Sequence, residues 1–323
     1  MHTTKILITT DVEIWPESWD RIGSDDFQAS FRKYIYGDTP SGAFGLPFQM
    51  QVLDDHGLSG VFMVESLFAC GFGLDPLAEI VGLIQDRGHE VQMHAHAEWV
   101  DKFDPPILPD RHGHHFYQYN RADQRYLLTL ARNNLLKAGV SELQAFRAGS
   151  YGANNETLLS LGELGILFDS SYNRPYLNTT CQVFADSPIR QPRQMDSVWE
   201  IPVTYFQDGL GRLRPFQING GSLAELIQVL EQAYAFEAET VVLVSHGFEL
   251  LTPSKRRHDP FALKRFIGLA RYLDQHRNRF VTCGFKDLQF ARADGIAWDT
   301  DIHTTMMPAL GRYLEQAARR CLT

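Results

Sequence analysis

The sequence predicts one α/β domain whose parallel strands form either a doubly wound sheet or a closed βα barrel. Short runs rich in β-branched and aromatic residues alternate with amphipathic helical stretches along the 323 residues. No Ser/Gly-rich linker or internal repeat interrupts this alternation. Such dense alternation favours parallel strands joined by right-handed crossovers. The pattern alone does not separate the sheet from the barrel.

Eight segments have the composition of β-strands and are bounded by turn-forming residues. These strands are Lys5–Thr10, Gly60–Val64, Glu90–Met93, Gln144–Phe146, Leu167–Asp169, Glu200–Val203, Thr240–Ser245 and Arg279–Thr282. Apolar residues at helical spacing predict one helix with Asp75 as its N-cap and Gly88 at its end, and another from about Ala122 to Ala138. Further helices are predicted after Asn155, Ser222 and Pro260.

Two segments do not fit the alternation and read as additions to the core. The first, Ile14–Gly45, is long enough to be a functional lid or rim. The second is the tail from Ala293, so we divide the chain into a barrel domain, 1–292, and a C-terminal helical extension, 293–323. The tail's apolar stripe predicts a helix packed on the domain or on a second copy in a homo-oligomer. Its members are Met306, Met307, Leu310, Tyr313, Leu314 and Ala317.

Composition and charge exclude several classes of protein. With 44% apolar and 21% charged residues the chain is an ordinary globular protein, not a disordered or fibrous one. A net charge of −9 argues against nucleic acid as a partner. No apolar run is long enough for a membrane span, and no export signal precedes Asp11, so we expect a cytoplasmic protein.

Polar residues of catalytic type follow several separate predicted strands. In barrels and open α/β sheets, ligands bind at the C-terminal ends of strands, so we expect these residues to converge on one site. They are Asp11 and Glu13 after the first strand, His94, His96 and Glu98 after the third, Arg147 after the fourth and His246 after the seventh.

The first two of these groups point to a metal site. In an extended segment Asp11 and Glu13 face the same side, where one could bind a cation and the other take a proton; alternatively, Asp11 only turns the chain. Imidazole and carboxylate donors suit zinc or another divalent transition metal. An extended chain would pair His94 with His96, whereas a helical one would pair His94 with Glu98. The residues leave that choice open.

The remaining polar residues allow both functional and structural interpretations. Arg147 could clamp a carboxylate or pair with a surface acid, and His246, after a buried strand, suits a general acid or base. A histidine cluster follows a proline-rich loop with no strand before it, so we expect it on an exposed rim; it comprises His112, His114 and His115. Four tyrosines could stack on a sugar or pack in the core. They are Tyr117, Tyr119, Tyr172 and Tyr176.

Together these motifs resemble, in order and context, the polysaccharide deacetylases of the NodB-homology type, carbohydrate esterase family 4. The resemblance covers roughly residues 5 to 290. The segments that carry it are Asp11–Glu13, Leu46–Val64, Gly88–Glu98, Phe146–Gly152, Trp199–Val203 and Leu243–His246.

The resemblance implies a distorted (β/α)7 barrel, a divalent metal with zinc as the first choice, and removal of an N-acetyl group from an amino sugar of a polysaccharide or its precursor. By position, Asp11 would be the general base, Glu13 and His94 metal ligands, Arg147 the residue that orients Asp11, and His246 the general acid.

Two departures from the family pattern keep other functions open. The family's second metal histidine falls at Glu98, so either Glu98 or His96 completes the metal set, and Ser150 stands where a tyrosine is usual. One alternative is hydrolysis of another non-peptide C–N bond, as in a cyclic ureide or imide. The other is a catalytically silent carbohydrate-binding protein.

Overall fold

Strands of one mixed sheet form the framework of the computed structural model, which describes residues 2–19, 23–290 and 301–320. The strands in these residues are β1 (Thr4–Val12), β2 (Asp38–Thr39), β3 (Gly42–Ala43), β4 (Val61–Glu65), β5 (Glu90–Ala95), β6 (Ala145–Ala148), β7 (Phe168–Asp169), β8 (Arg193–Met195), β9 (Val198–Glu200), β10 (Tyr205–Gln207), β11 (Leu213–Pro215), β12 (Thr240–His246), β13 (Phe280–Thr282) and β14 (Ile302–His303).

The main sheet has the order β12-β1-β4-β5-β6-β7-β9-β8, and β13 also pairs with β1. Every pair in it is parallel except β8–β9. The sheet curls into a half-barrel, so of the two architectures that the alternation allowed, the barrel type is confirmed. Seven of the eight predicted strands are present with boundaries that differ by a few residues, whereas the predicted strand Glu200–Val203 shares only Glu200 with β9.

Helices join these strands and cover the outer face of the sheet. They are α1 (Ser24–Phe31), α2 (Leu46–Asp55), α3 (Ala69–Phe72), α4 (Asp75–Gln85), α5 (Arg121–Lys137), α6 (Asn155–Glu163), α7 (Leu223–Ala235), α8 (Pro260–Gln275) and α9 (Met306–Arg320). The predicted helices are confirmed, but Asp75 is the first residue of α4 rather than its N-cap, which is Leu74. A carboxylate in the first turn still interacts favourably with the helix dipole. Gly88 and Gly139 adopt the left-handed conformation that follows a helix end.

Strand residues alternate between two apolar cores on opposite faces of the sheet. The inner core, enclosed by the half-barrel, includes Leu7, Val61, Met63, Ala145, Val242 and Val244. The outer core, shared with the helices, includes Ile6, Ile8, Phe62, Val64, Phe146 and Leu243. A residue an even number of positions beyond an inner-core residue therefore faces the interior of the half-barrel.

The two predicted additions have their own structure. Residues 14–45 contain α1, a π-helical turn over Arg32–Tyr36 and the β2–β3 hairpin. The C-terminal part attaches through β14, which pairs with β10, and through α9. The division at residue 292 lies in 291–300, outside the described residues, so that boundary stays a prediction.

The prediction that the apolar stripe of α9 packs on the domain is wrong. Met307 and Leu314 are 76% and 73% exposed, and Met306 and Leu310 are also exposed. The helix is attached instead through a fully buried Arg312, whose guanidinium pairs with the carboxylates of two buried acids. Self-association through the exposed stripe stays a prediction. No helix in the described part of the chain has the length and apolar character needed to cross a membrane.

Candidate active site and metal centre

Strand pairing and alternation bring the predicted polar residues together at the C-terminal edge of the sheet. Asp11 is the register partner of His246 across β1 and β12. His94 on β5 is the partner of Arg147 on β6. Asp11 lies four residues after inner-core Leu7, and Arg147 and His246 each lie two residues after an inner-core residue. His94 directly follows an outer-core residue of β5, so all four side chains face the interior of the half-barrel.

Three donor atoms from Glu13, His94 and His96 form one buried cluster. Glu13 Oε1 lies 3.1 Å from His94 Nε2 and 3.0 Å from His96 Nε2, and the two nitrogens are 3.1 Å apart. The chain is still extended at His96, and the 3₁₀ turn Ala97–Trp99 begins only afterwards. The extended alternative is therefore correct for this segment, and His94 pairs with His96.

The donor set fits a divalent metal. Donors about 2.0–2.1 Å from a tetrahedral zinc ion lie about 3.3 Å from one another, close to the 3.0–3.1 Å separations observed. His94 Nδ1 donates to the carbonyl oxygen of Arg147 at 2.8 Å, so in the neutral ring Nε2 carries a lone pair. A lone pair directed at a carboxylate oxygen needs a proton or a cation between them.

Burial opposes ionisation of this cluster, but its members stabilise one another's charged forms. Burial alone would raise the pKa of Glu13, yet the His96 charge and hydrogen bonds from both histidines hold it well below its usual value. Burial alone would lower the pKa of His96, yet Glu13 and Glu98 raise it well above its usual value. In metal-free protein the His96 proton therefore occupies the place that a cation can take.

Trp15 and Glu65 support the cluster, and the sequence patterns did not reveal either residue. The indole N–H of Trp15 donates to Glu13 Oε2 at 2.7 Å, which leaves Oε1 directed at the histidines. The buried carboxylate of Glu65 accepts the backbone N–H groups of Leu67 and His96. Burial raises the pKa of Glu65 to about 7.

Glu98, a predicted metal ligand, lies outside the donor clusters found among the described residues, which are Glu13–His94–His96 and Asp11–Glu13–His246. Its Oε2 instead lies 3.3 Å from Nδ1 of His96, the ring nitrogen that is not part of the first cluster. The predicted ligand set is therefore brought together without Glu98.

Asp11 is held by a fully buried arginine. Arg147 donates to Asp11 Oδ1 at 2.6 Å and to Thr9 Oγ1 at 2.9 Å, and its other N–H groups reach the carbonyl and hydroxyl oxygens of Ser170. This geometry matches the predicted orienting role and excludes the surface pair. Because the guanidinium is fixed on several sides, the carboxylate of Asp11 is fixed as well.

His246 is paired with an acid that the sequence patterns did not reveal. Its Nδ1 lies 2.7 Å from Oε2 of Glu249, three residues later in the turn after β12. Burial alone would lower the pKa of His246, but Glu249, with smaller contributions from Glu13 and Asp11, raises it to about 9. His246 is therefore protonated at neutral pH.

A second pair of buried carboxyl groups lies behind Arg147. Glu200 and Asp169 occupy neighbouring positions on β9 and β7, and both are fully buried. Burial and the adjacent Asp169 carboxylate raise the pKa of Glu200 well above its usual value. Burial raises the pKa of Asp169 as well, so both members of this pair favour the protonated form.

One cavity of about 260 Å³ connects these groups. Its lining is Asp11, Glu13, Trp15, His96, Ala148, Ser150, Tyr151, His246 and Phe248. Ser150 and Tyr151 both have positive φ angles, a conformation that costs about 1–3 kcal/mol per residue and is concentrated at functional sites. Gly149 serves close packing, because a Cβ there would lie 2.4 Å from the His96 ring.

Rim residues divide between exposed and buried positions. His112 and His114 are exposed and His115 is half-buried, as predicted for a rim loop. Tyr119 and Tyr172 are buried packing residues, whereas Tyr176 is partly exposed and stacks on cavity-lining Tyr151 at 5.5 Å. Tyr117 stacks on His115.

Comparison with known proteins gives a likeness of fold. No protein-family model and no curated protein sequence matches the chain. It is similar to a solved structure from Mycobacterium smegmatis named "putative polysaccharide deacetylase", with a TM-score of 0.54 and 19% identity over 87% of each chain. It is also similar to a family 4 carbohydrate esterase from Streptomyces lividans in complex with acetate, with a TM-score of 0.45 and 11% identity over 88% of this chain and 94% of that one.

A further similar structure is a CE4 family pseudoenzyme from Bacillus anthracis, with a TM-score of 0.43 and 10% identity over 94% of this chain and 70% of that one. At such identities, the likeness concerns architecture and not activity. The resemblance seen in the sequence motifs is thus confirmed at the level of fold, and the chain has the polysaccharide deacetylase fold.

Proposed function

We propose that this protein is a metal-dependent hydrolase that removes an N-acetyl group from an amino sugar of a polysaccharide or its precursor. One observation carries the proposal. A three-donor metal cluster, an arginine-held carboxylate and a protonated histidine all border one cavity. This combination supplies a ligand set, a base and an acid for hydrolysis of an amide.

Glu13, His94 and His96 would hold the metal, and zinc suits two imidazoles and one carboxylate. A divalent cation bound there supplies a Lewis acid for the acetamide carbonyl and lowers the pKa of bound water. His94 lies on β5, His96 directly follows β5, and Glu13 directly follows β1. The sheet therefore positions all three ligands.

Asp11 is the proposed general base. Arg147 donates to its Oδ1 at 2.6 Å, which fixes the direction of the carboxylate. The carboxylate lines the cavity beside the metal cluster, where it can take a proton from the attacking water. Arg147 itself is a positioning residue, because it acts through Asp11.

His246 is the proposed general acid. Its ring lines the cavity while its Nδ1 is paired with Glu249, and its raised pKa keeps it protonated where the reaction needs a proton donor. Protonation of the leaving amine by His246 allows the C–N bond to break. The backbone N–H groups of Ser150 and Tyr151 are the proposed donors to the negative oxygen that develops during attack.

A specific observation also favours a second candidate, hydrolysis of a small cyclic ureide or imide. The cavity volume of about 260 Å³ lies below the roughly 300–1,000 Å³ that is usual for sites of drug-sized ligands. Trp15, Tyr151 and Phe248 wall the cavity, which suits a single small ring. The same residues would act on either amide, so only a comparison of substrates distinguishes the two candidate functions.

The test is hydrolysis by purified protein with and without added zinc. Acetate release from N-acetylglucosamine oligomers that requires metal and is lost in Asp11→Asn supports the deacetylase. Turnover of cyclic imides or ureides instead supports the second candidate. Stoichiometric zinc with no hydrolysis of any of these amides would refute both and favour the catalytically silent carbohydrate-binding protein. The cytoplasmic location stays a prediction.

A further inference from the structure

Glu98 is the acidic residue next to the metal cluster whose role the proposed chemistry leaves open. We propose that Glu98 is a positioning residue that accepts the Nδ1–H of His96 and so directs the Nε2 lone pair of His96 at the metal. The inference rests on the proposed metal site. It replaces the expectation that Glu98 is itself a ligand.

The two nitrogens of His96 meet different partners. Nε2 belongs to the metal cluster, 3.0 Å from Glu13 Oε1, whereas Nδ1 lies 3.3 Å from Glu98 Oε2. Nδ1 and Oε2 are both buried, and neither makes a hydrogen bond of standard geometry in residues 2–19, 23–290 and 301–320, so their 3.3 Å ion pair is the contact that serves both atoms. A neutral imidazole carries one proton, so an acceptor at Nδ1 keeps that proton away from the metal side.

His94 shows the same arrangement with a different acceptor. Its Nδ1 donates to the backbone carbonyl of Arg147 at 2.8 Å, across the paired strands β5 and β6. His96 follows Ala95, the last residue of β5 and the last to pair with β6, so strand pairing offers it no carbonyl. A side chain must then supply the acceptor, and Glu98 is two residues away on the 3₁₀ turn.

Surrounding groups restrict the His96 ring so that the Glu98 contact controls its proton more than its position. Trp15 packs edge-on against the ring at 4.7 Å between centroids. Gly149 passes so close that any Cβ would overlap the ring, and Glu65 accepts the backbone N–H of His96. Removal of Glu98 should therefore leave the ring in place and free its Nδ1 proton to exchange sides.

The test measures zinc affinity by competition with a chromophoric chelator in wild type, Glu98→Met, Glu98→Gln and the exposed control Glu142→Gln. Methionine removes the acceptor at similar volume, whereas glutamine keeps an acceptor oxygen. We expect Glu98→Met to weaken zinc binding about 10- to 100-fold, as loss of an outer-shell partner does. Glu98→Gln should retain most of the affinity and Glu142→Gln all of it.

The ¹⁵N shifts of His96 in metal-free and zinc-loaded protein give a second readout, independent of activity. We expect the Nδ1–H form in the zinc-loaded wild type. In metal-free protein at a pH high enough to make the His96 ring neutral, we expect the Nδ1–H tautomer in the wild type and a mixture of tautomers in Glu98→Met. If wild type and Glu98→Met have the same zinc affinity and the same His96 tautomer, the inference is overturned and the proposed metal site stands. If Glu98→Gln weakens zinc binding as much as Glu98→Met does, Glu98 is a direct metal ligand instead. Absence of zinc binding in the wild type would overturn the metal site and the inference together.

Discussion

Substitution of Glu249 by glutamine should convert His246 from a strong proton donor at neutral pH into a weak one. Burial alone would lower the pKa of His246, and the Glu249 carboxylate, 2.7 Å away, is the largest influence that raises it to about 9. Without that charge we expect the pKa to fall to about 6.5 or below, the ordinary value for histidine. Glutamine retains the size of the side chain and a hydrogen-bonding group.

The size of the effect follows from these two pKa values. At pH 8 about nine-tenths of His246 is protonated when its pKa is about 9, against about 3% when its pKa is about 6.5. We therefore expect kcat/KM to fall about 30-fold at pH 8, about 4-fold at pH 7, and little at pH 6. The alkaline limb of the pH profile of kcat/KM should therefore shift to lower pH.

The free energy of unfolding should also depend on the protonation of His246. A histidine whose folded pKa is raised contributes stability that is fully present below its unfolded pKa and is lost as the pH rises through its folded pKa. For His246 that window extends from about 6.5 to about 9 and corresponds to about 3 kcal/mol. Urea unfolding between pH 6 and pH 10 should show this loss in the wild type and much less of it in Glu249→Gln.

The decisive assay is an NMR titration of the His246 ring in metal-free protein, which needs neither substrate nor metal. Glu142→Gln serves as the control, since Glu142 is exposed and precedes β6, whereas His246 lies at the opposite, C-terminal edge of the sheet at the end of β12. If His246 titrates at the same pH in wild type and Glu249→Gln, the electrostatic reasoning is refuted, whatever happens to activity.

Three further substitutions test other parts of the site and fold. Asp11→Asn should lower kcat for amide hydrolysis about 10²- to 10⁴-fold with unchanged zinc content, as measured by acetate release beside metal analysis. Trp15→Phe removes the 2.7 Å hydrogen bond to Glu13 and keeps most of the ring, so zinc affinity should fall about 10-fold by chelator competition; unchanged affinity would mean that Glu13 needs no support. Arg312→Met removes the guanidinium that pairs with buried Glu225 and leaves buried Asp208 with Arg214 alone, so it should destabilise the fold by about 3–5 kcal/mol in urea unfolding, while activity per folded molecule stays constant.

Side-chain alternation made much of the site predictable. Asp11 and Glu13 share a face because β1 is extended, and strand order brings His94 and Arg147 to the same edge. The choice between His96 and Glu98 was not predictable, because it depends on where extended backbone gives way to a helical turn. That change occurs after His96, and a shift of one or two residues would have favoured the other pair.

Supporting residues were harder to predict because their signal is spatial. Glu249 contacts His246 because a turn follows β12, and Glu200 lies beside Asp169 on the adjacent strand. A carboxylate in either place has no periodic or compositional mark. The packing prediction for α9 was wrong although its apolar spacing was clear in the sequence. The helix is attached by buried ion pairs rather than by its apolar face.

The pairing of β1 with β12 extends over seven register partners, and Asp11 with His246 is the last of them. The separation of the proposed base and acid is therefore set by the roughly 4.8 Å spacing of neighbouring strands, not by a mobile loop. Both strands are almost entirely buried, so we expect their amide protons to exchange only when the whole domain opens. Thermal inactivation of this protein should then coincide with the loss of the sheet, instead of preceding it as in enzymes whose catalytic groups lie on loops.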